Sequence, residues 1–292
     1  AEVIDAHVHV ALPHLSAYPP EPPTPSGHSL DESSLETIAA DFYDEMQSAG
    51  VTHALCMPQY NAPANDPLGI VRTVQLASLV PGLHPIGLAD PTRTNKRHLD
   101  LVEEELKQKK IVAFKAYLGY LYYGPSSPEY EPYYDLAARY NLPFIFHTGD
   151  TYSDRGKLKY SHPLLVDETA VDHPNVRFVF AHLGCPWFRD GGELIFKNNL
   201  MGGRENLWCD VSGILCGLEN DFEEYWKTGY LKQEADKIRE AFFYSERPDR
   251  FLYGSDWPLA PLPVYRDFIR EAIPEEYHQA VFHNNAKDLF GL

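Results

Sequence analysis

The chain has 292 residues, of which 44% are hydrophobic and 23% charged, so it can bury a substantial core and is not disordered as a whole. Lys and Arg total 25 against 42 Asp and Glu, which gives a formal net charge of -17. A surface this acidic repels phosphate backbones, and without a basic cluster or an apolar run of 18 residues we expect neither a nucleic-acid partner nor a membrane span.

Short apolar runs alternate with longer segments of helical period along the chain. The predicted strands cover residues 3–10, 51–57, 84–89, 111–118, 143–147, 176–182, 207–211 and 251–254. The predicted helices include residues 35–49, 67–80, 96–109, 130–140 and 222–244. Ser33 or Ser34 reads as the start of the first helix and Gly50 as its end.

Strands separated by crossover helices pair in parallel, and parallel strands buried on both faces are nearly continuous apolar runs. Residues 144–146 (Phe-Ile-Phe) and 178–181 (Phe-Val-Phe-Ala) have this character. Eight such units in one chain predict an α/β fold, a single-domain (β/α)8 TIM barrel over residues 1–292. A doubly wound sheet is the alternative, and the absence of a glycine fingerprint after the first strand counts against it.

Residues 12–30 follow the first strand and contain six prolines, so they cannot form a helix. They form a long Pro-rich loop on the side of the barrel where active sites lie. A lid or pocket wall and a passive surface loop are both compatible with this composition.

Polar residues end several of the predicted strands. His7 and His9 lie two residues apart near the end of the first strand, so both imidazoles can reach one point. His147, His182 and Asp256 each follow an apolar run and precede a glycine or loop. In a (β/α)8 barrel all five positions open onto the same face, and imidazoles with one carboxylate suit Zn²⁺ or another first-row divalent ion.

With this ordered set the chain resembles the amidohydrolase superfamily, in its amidohydrolase-related (type 2) branch. The resemblance covers nearly the whole chain, and its best segments include residues 4–9, 142–150, 178–187 and 252–258. It implies a metal held by His7, His9, His147, His182 and Asp256. One ion is favoured, with one of the last two histidines outside the ligand set as an acid or base.

Some members carry a carboxylated lysine at the end of the fourth strand, where it bridges two metals. Lys115 lies in the fourth predicted strand, at a place compatible with that lysine. Two ions are therefore an alternative if Lys115 is carboxylated. Otherwise Lys115 binds an anionic substrate or pairs with an acid.

The resemblance implies a metal-activated water that attacks a small-molecule substrate. Asp256 accepts the water proton and passes it to the leaving group, and His182 stabilises the oxyanion or orients the substrate. Three functions remain open. The first is a hydrolase acting on an amide, cyclic amide or lactone, the second a non-oxidative decarboxylase of aromatic or unsaturated acids, and the third a non-catalytic metal-binding scaffold.

Other residues are weaker substrate-binding candidates. They are Tyr117, Asp150, His162, Trp187 and Asp210. For His162 a contact at a helix N-terminus is an equal alternative, for Asp150 a surface ion pair, and for Asp210 a hydrogen bond that fixes the end of the seventh strand.

Four cysteines without a Cys-x-x-Cys pair favour reduced thiols in a cytoplasmic protein. The first residues show no secretion signal, although a removed leader leaves no trace. Dimers are common in this family, so a homodimer is one expected form.

Overall fold

A computed structural model of the protein describes residues 2–10, 35–60 and 62–292. Its strands are β1 (Val3–Val8), β2 (Val51–Cys56), β3 (Leu83–Pro85 continued by Gly87–Leu88), β4 (Phe114–Ala116), β5 (Phe144–Phe146), β6 (Phe178–Phe180), β7 (Leu207–Asp210) and β8 (Phe251–Leu252). Each strand pairs in parallel with the next, as the alternation of strands and helices predicts. The α/β barrel is therefore confirmed over the doubly wound sheet.

The last strand returns to the first and closes the barrel. The Ala6 N–H donates to the Tyr253 carbonyl at 2.9 Å, and the His9 N–H donates to the Trp257 carbonyl at 2.8 Å. A parallel bridge joins Val8 to Trp257. Closure brings the end of β1 beside the end of β8, although these segments lie near opposite ends of the chain.

Successive strand residues pack in two separate apolar clusters, because neighbouring side chains of a strand point to opposite faces. Phe144 and Phe146 belong to the large cluster between the strands and the surrounding helices, and their rings pack near that of Phe178. Ile145 and Val179 belong to the smaller cluster inside the barrel.

A C-terminal helix covers the amino-terminal end of the barrel. Its residues Asn285–Phe290 contribute Ala286, Leu289 and Phe290 to the interior cluster. The Asn285 side chain donates to the Phe251 carbonyl at 2.9 Å, immediately at the start of β8. The opposite end of the barrel, where the strands finish, carries the polar residues.

The remaining long helices lie mostly between strands. They are α1 (Leu35–Ala49), α2 (Val71–Ala77), α3 (Lys96–Lys107), α4 (Glu131–Arg139), α5 (Leu165–Asp172), α6 (Phe188–Asn198), α7 (Glu219–Thr228), α8 (Tyr230–Ser245) and α9 (Leu262–Ala272). The predicted helix 35–49 has the bounds of α1, and Gly50 follows it with a φ of 71°. The serines expected to begin it lie outside the described residues, as does the Pro-rich segment 12–30.

Two predicted helices differ from the structure. The segment 222–244 forms two helices rather than one, because Gly229 adopts a φ of 82° between α7 and α8 and interrupts the helical hydrogen bonding. The segment 67–80 is helical only over α2, where the Asp66 carboxylate accepts the Ile70 N–H at 3.0 Å and so satisfies a donor that the helix leaves unpaired. Within the described residues, the helices are too short or too polar to cross a membrane.

Candidate metal centre

The predicted strand-end residues converge on one face of the barrel. His7 lies in β1 and His9 directly follows it, while His147, His182 and Asp256 come just after β5, β6 and β8. His7, His147, His182 and Asp256 are buried and His9 is partly buried. The five side chains thus lie close together at the carboxyl ends of the strands.

Two of these residues depend on unusual backbone geometry. His182 has a φ of 62° and Asp256 a φ of 63°, in the left-handed region that non-glycine residues rarely adopt. Such conformations are strained and persist only where surrounding contacts fix them. One such contact is the Asp256 N–H, which donates to the His7 carbonyl at 2.8 Å.

Glycines after β7 and β8 leave room for the site. A β-carbon on Gly213 would lie 2.6 Å from Asp256 Oδ2 and 2.9 Å from His182 Nδ1. A β-carbon on Gly254 would lie 2.9 Å from the β-carbon of His7. The close approach of these backbones to the polar side chains therefore requires glycine at both positions.

Three donor atoms form a small triangle. His9 Nε2 lies 3.0 Å from Asp256 Oδ1, His7 Nε2 lies 3.3 Å from the same oxygen, and the two nitrogens are 3.2 Å apart. Ligands about 2.0–2.2 Å from a tetrahedral zinc ion are separated from one another by about 3.3–3.6 Å. The triangle is thus close to the geometry that one small divalent ion needs, and His7, His9 and Asp256 form a candidate metal-binding group.

The other two histidines lie next to this triangle. The ring centroid of His182 is 5.0 Å from that of His7 and 5.1 Å from that of His147. His147 Nε2 is buried and makes no hydrogen bond to any of the described residues. An imidazole nitrogen buried without a partner is costly, so a ligand is expected at this atom.

His182 is oriented by the end of β7. Its Nδ1 lies 2.8 Å from the Ser212 carbonyl oxygen and 3.0 Å from Ser212 Oγ. A carbonyl oxygen only accepts, so Nδ1 carries a proton, and in the neutral ring Nε2 then offers a lone pair.

A second group of nearby ligand atoms, from His7, His182 and Asp210, has a different character. Asp210 is buried, and both of its oxygens accept hydrogen bonds from protein groups. Since the Asp210 oxygens and His182 Nδ1 already have partners, this second group supports the first and is not a second metal site. Because both carboxylate oxygens already accept hydrogen bonds, a structural role for Asp210 at the end of the seventh strand is favoured over substrate contact.

Burial sets the protonation states of the site. It lowers the pKa of His7 to about 4, with the positive charge of Lys115 adding to the effect. Burial also lowers the pKa of His9 and of His147. For Asp256 burial alone raises the pKa, but the charge of His7 and the hydrogen bond with His9 outweigh it and hold the pKa well below its usual range. Neutral imidazoles beside an ionised carboxylate are the states that bind a divalent cation.

Lys115 is buried in β4, with Nζ 5.2 Å from the centroid of the Tyr117 ring. Burial lowers its pKa to about 8, against the opposing effect of Asp210 and Asp256. Among the residues that the structure describes, its Nζ forms no ion pair with a carboxylate within 4.0 Å. The ammonium therefore sits beside the cluster with its charge uncompensated at close range.

The other sequence candidates make contacts outside the five-residue cluster. The Tyr117 hydroxyl is committed to the Pro58 carbonyl oxygen at 2.5 Å. Asp150 is exposed, and its Oδ1 accepts the Thr151 N–H. The His162 ring packs 4.6 Å from that of Trp187, and His162 Nε2 lies 3.4 Å from Asp190 Oδ2. Substrate contact by these residues stays a prediction.

Two contacts of the site were not predicted from the sequence. Asp5 is buried in β1, and its Oδ1 accepts the N–H groups of His7 at 3.1 Å and Ser255 at 3.0 Å, which ties the two ends of the site together. An acid inside the apolar run Val3–Val8 is the signal that could have revealed it. The Tyr120 ring packs edge-on against His147 with centroids 4.8 Å apart, and no local pattern indicates that contact.

The fold and the donor set together define an α/β-barrel protein with a candidate divalent-metal centre at the carboxyl ends of its strands. The chain belongs to the amidohydrolase family, which matches residues 4–292. It is accordingly an enzyme, from a family whose members depend on metals. No curated protein matches the chain by sequence.

Solved structures share the fold at low sequence identity. An amidohydrolase from Burkholderia multivorans with bound zinc is 14% identical with a TM-score of 0.66, and the match covers all of both chains. A probable 2-pyrone-4,6-dicarboxylic acid hydrolase from Acinetobacter baumannii is 15% identical with a TM-score of 0.63, again over all of both chains. The 5-carboxyvanillate decarboxylase of Sphingomonas paucimobilis is 15% identical with a TM-score of 0.58, over 100% of this chain and 99% of that one.

Proposed function

We propose that this protein is a metal-dependent hydrolase that cleaves a C–N or C–O bond of a small molecule, such as an amide, a cyclic amide or a lactone. The observation that carries the proposal is the placement of the Asp256 carboxylate. Its Oδ1 lies within 3.3 Å of both His7 Nε2 and His9 Nε2, whereas its Oδ2 lies on the side of Gly213 and His182. One oxygen can thus bind the ion while the other accepts and transfers a proton.

His7, His9, His147 and Asp256 are the proposed ligands of one ion. The unpartnered Nε2 of His147 and the triangle of the other three donors both fit this assignment. Neutral imidazoles with one carboxylate suit Zn²⁺, the ion bound in the Burkholderia structure. A bound ion of this kind supplies a water with a pKa near 7 and polarises a carbonyl group.

The protein groups around that position have separate roles in hydrolysis. Asp256 Oδ2 accepts the proton of the attacking water and transfers it to the leaving group. His182 Nδ1 is bonded to the Ser212 carbonyl, so Nε2 is the ring nitrogen left to orient the substrate or the water. If His182 is protonated during turnover, Nε2 becomes a donor that stabilises the oxyanion.

Lys115 is the proposed contact for an anionic group of the substrate. Its ammonium is buried at the cluster and has no carboxylate at ion-pair distance in the described part of the chain, so a substrate carboxylate would compensate the charge. Carboxylation of Lys115 with two bound ions is the other assignment for this residue. Intact-protein mass spectrometry under native conditions separates the two, because carboxylation adds the mass of CO2.

Non-oxidative decarboxylation is the second candidate function. The uncompensated charge of Lys115 favours it, because a decarboxylase also binds a carboxylate beside the metal. The ligand set alone does not separate the two reactions, since decarboxylases of this fold occur among the structural neighbours.

The test is turnover of a panel of lactones, amides and aromatic acids in H2(18)O, by protein whose metal content has been measured. Incorporation of ¹⁸O into the product supports hydrolysis. Release of CO2 without ¹⁸O in the product contradicts it and supports the decarboxylase. Asp256→Asn protein serves as the control for contaminating activity. Stoichiometric metal without turnover of any compound would contradict both reactions for the substrate classes in the panel.

A further inference from the structure

We propose that Asp210 is a positioning residue that fixes the tautomer of His7. It holds the His7 proton on Nδ1, so that Nε2 presents a lone pair to the metal position. The inference rests on the proposed metal centre but not on the choice between hydrolysis and decarboxylation.

Asp210 ends β7 and is 1% exposed. Its Oδ1 accepts the His182 N–H at 3.0 Å, the Ser212 N–H at 3.0 Å and the Ser212 hydroxyl at 2.6 Å. Its Oδ2 lies 2.9 Å from His7 Nδ1. Both oxygens of this buried carboxylate are therefore engaged by groups of the protein.

Three donors on Oδ1 favour the ionised carboxylate, because they stabilise the negative charge and would oppose a proton on that oxygen. An ionised carboxylate only accepts, so the hydrogen bond to His7 requires the proton on Nδ1. A neutral His7 then has no proton on Nε2. That nitrogen belongs to the triangle with His9 and Asp256.

His9 provides the contrast. Its Nδ1 is buried and makes no hydrogen bond to the described residues. Nothing holds a proton on that atom, and the proton of His9 can sit on Nε2, 3.0 Å from Asp256 Oδ1. His7 is therefore prepared for a metal before the ion arrives, whereas His9 must move or release its proton when the ion binds.

Asp210 also acts on the second histidine of its network. Its carboxylate accepts the His182 N–H in a turn where the φ of His182 is 62°. The carbonyl of Ser212, two residues after Asp210, accepts the His182 Nδ1 proton. A single buried segment, Asp210 to Ser212, thus holds the Nδ1 atoms of two imidazoles whose ring centroids are 5.0 Å apart. Such outer hydrogen bonds typically change metal affinity 10- to 100-fold.

The direct test is the tautomer of His7 in metal-free protein, read from two-bond ¹H–¹⁵N correlation spectra of the imidazole rings. In the wild type we expect the proton on Nδ1. In Asp210→Asn the amide oxygen can replace Oδ1 and its NH2 group faces His7, so the proton should move to Nε2. We then expect the affinity for Zn²⁺, measured by competition with a chromophoric chelator, to fall about 10- to 100-fold.

Ser212→Ala is the matched control, because it loosens the same network but leaves the carboxylate on His7. It should keep the wild-type tautomer and lose less than about threefold in Zn²⁺ affinity. Asp172→Asn removes an exposed charge and should change neither quantity.

A wild-type His7 that carries its proton on Nε2 would overturn the inference, even if Asp210→Asn does not fold. Unchanged tautomer and affinity in a folded Asp210→Asn protein would also overturn it. A wild type with the expected tautomer that binds no Zn²⁺ would instead contradict the proposed metal centre. The two failures are therefore distinguishable.

Discussion

His9 Nε2 lies 3.0 Å from Asp256 Oδ1, which joins the end of the first barrel strand to the end of the last. The contact exists because the His9 N–H and the Trp257 carbonyl pair the two strand ends when the barrel closes. In the absence of an ion the two side chains share a hydrogen bond. The same two atoms are proposed metal ligands, so closure of the fold assembles the site.

Replacement of Asp256 by asparagine tests its proposed role in proton transfer. The amide keeps an oxygen for the ion but is a far weaker base, so turnover should fall about 100-fold or more while bound metal changes little. The measurements are kcat and metal content on the same preparation. Turnover within a few-fold of wild type would remove Asp256 from the mechanism.

Gly213→Ala tests the space beside the site. The added carbon would lie 2.6 Å from Asp256 Oδ2, so we expect at least a tenfold loss of Zn²⁺ affinity and a free energy of unfolding lower by about 1–3 kcal/mol. Chemical denaturation and metal titration measure both.

Gly202→Ala is the control for that experiment. Gly202 has a φ of 67°, close to the 65° of Gly213, but a β-carbon there would meet no atom within 4 Å. It should show the backbone strain without the effect on metal binding. Equal loss of Zn²⁺ affinity in both variants would mean that crowding at Asp256 is not the cause.

Burial of Lys115 predicts that the free energy of unfolding of the metal-free protein depends on pH. Burial lowers its pKa to about 8 from 10.5, so between these values the unfolded chain binds a proton that the folded chain lacks. The destabilisation is fully present below pH 8 and is lost as the pH rises toward 10.5. A shift of this size corresponds to about 3 kcal/mol.

Lys115→Met should therefore unfold at higher denaturant concentration than wild type at pH 7, and the difference should shrink between pH 8 and pH 10.5. Lys227→Met, at an exposed position, should show no such trend. A stability difference for Lys115→Met that does not change over this range would contradict the buried, uncompensated ammonium.

The barrel could be predicted from the sequence because the patterns that specify it lie in short, local segments. Apolar runs such as residues 144–146 and 178–181 specify strands buried on both faces, and the rhythm of strand and helix specifies parallel pairing. Polar residues directly after those runs fall on one face, which is why His147 and His182 were expected near the first-strand histidines. The helix break at Gly229 was missed because a single glycine is often tolerated within a helical pattern.

The contacts that orient the site could not be predicted, because they join residues far apart in the chain. Asp210 could face either a substrate or the protein from its sequence position alone. Only the closed barrel, in which β7 lies beside β6 and is separated from β1 by β8, shows that its carboxylate meets His7 and the His182 N–H. Likewise, no local sequence pattern indicates that the Tyr117 hydroxyl donates a hydrogen bond to the Pro58 carbonyl oxygen.

A crystal structure of zinc-loaded protein, with anomalous scattering measured on both sides of the zinc absorption edge, tests the central claim most directly. We predict one strong anomalous peak about 2.0–2.2 Å from His7 Nε2, His9 Nε2 and an oxygen of Asp256, with His147 completing the protein ligands. A peak elsewhere on the protein, or an empty triangle in a crystal grown with stoichiometric zinc, would contradict it.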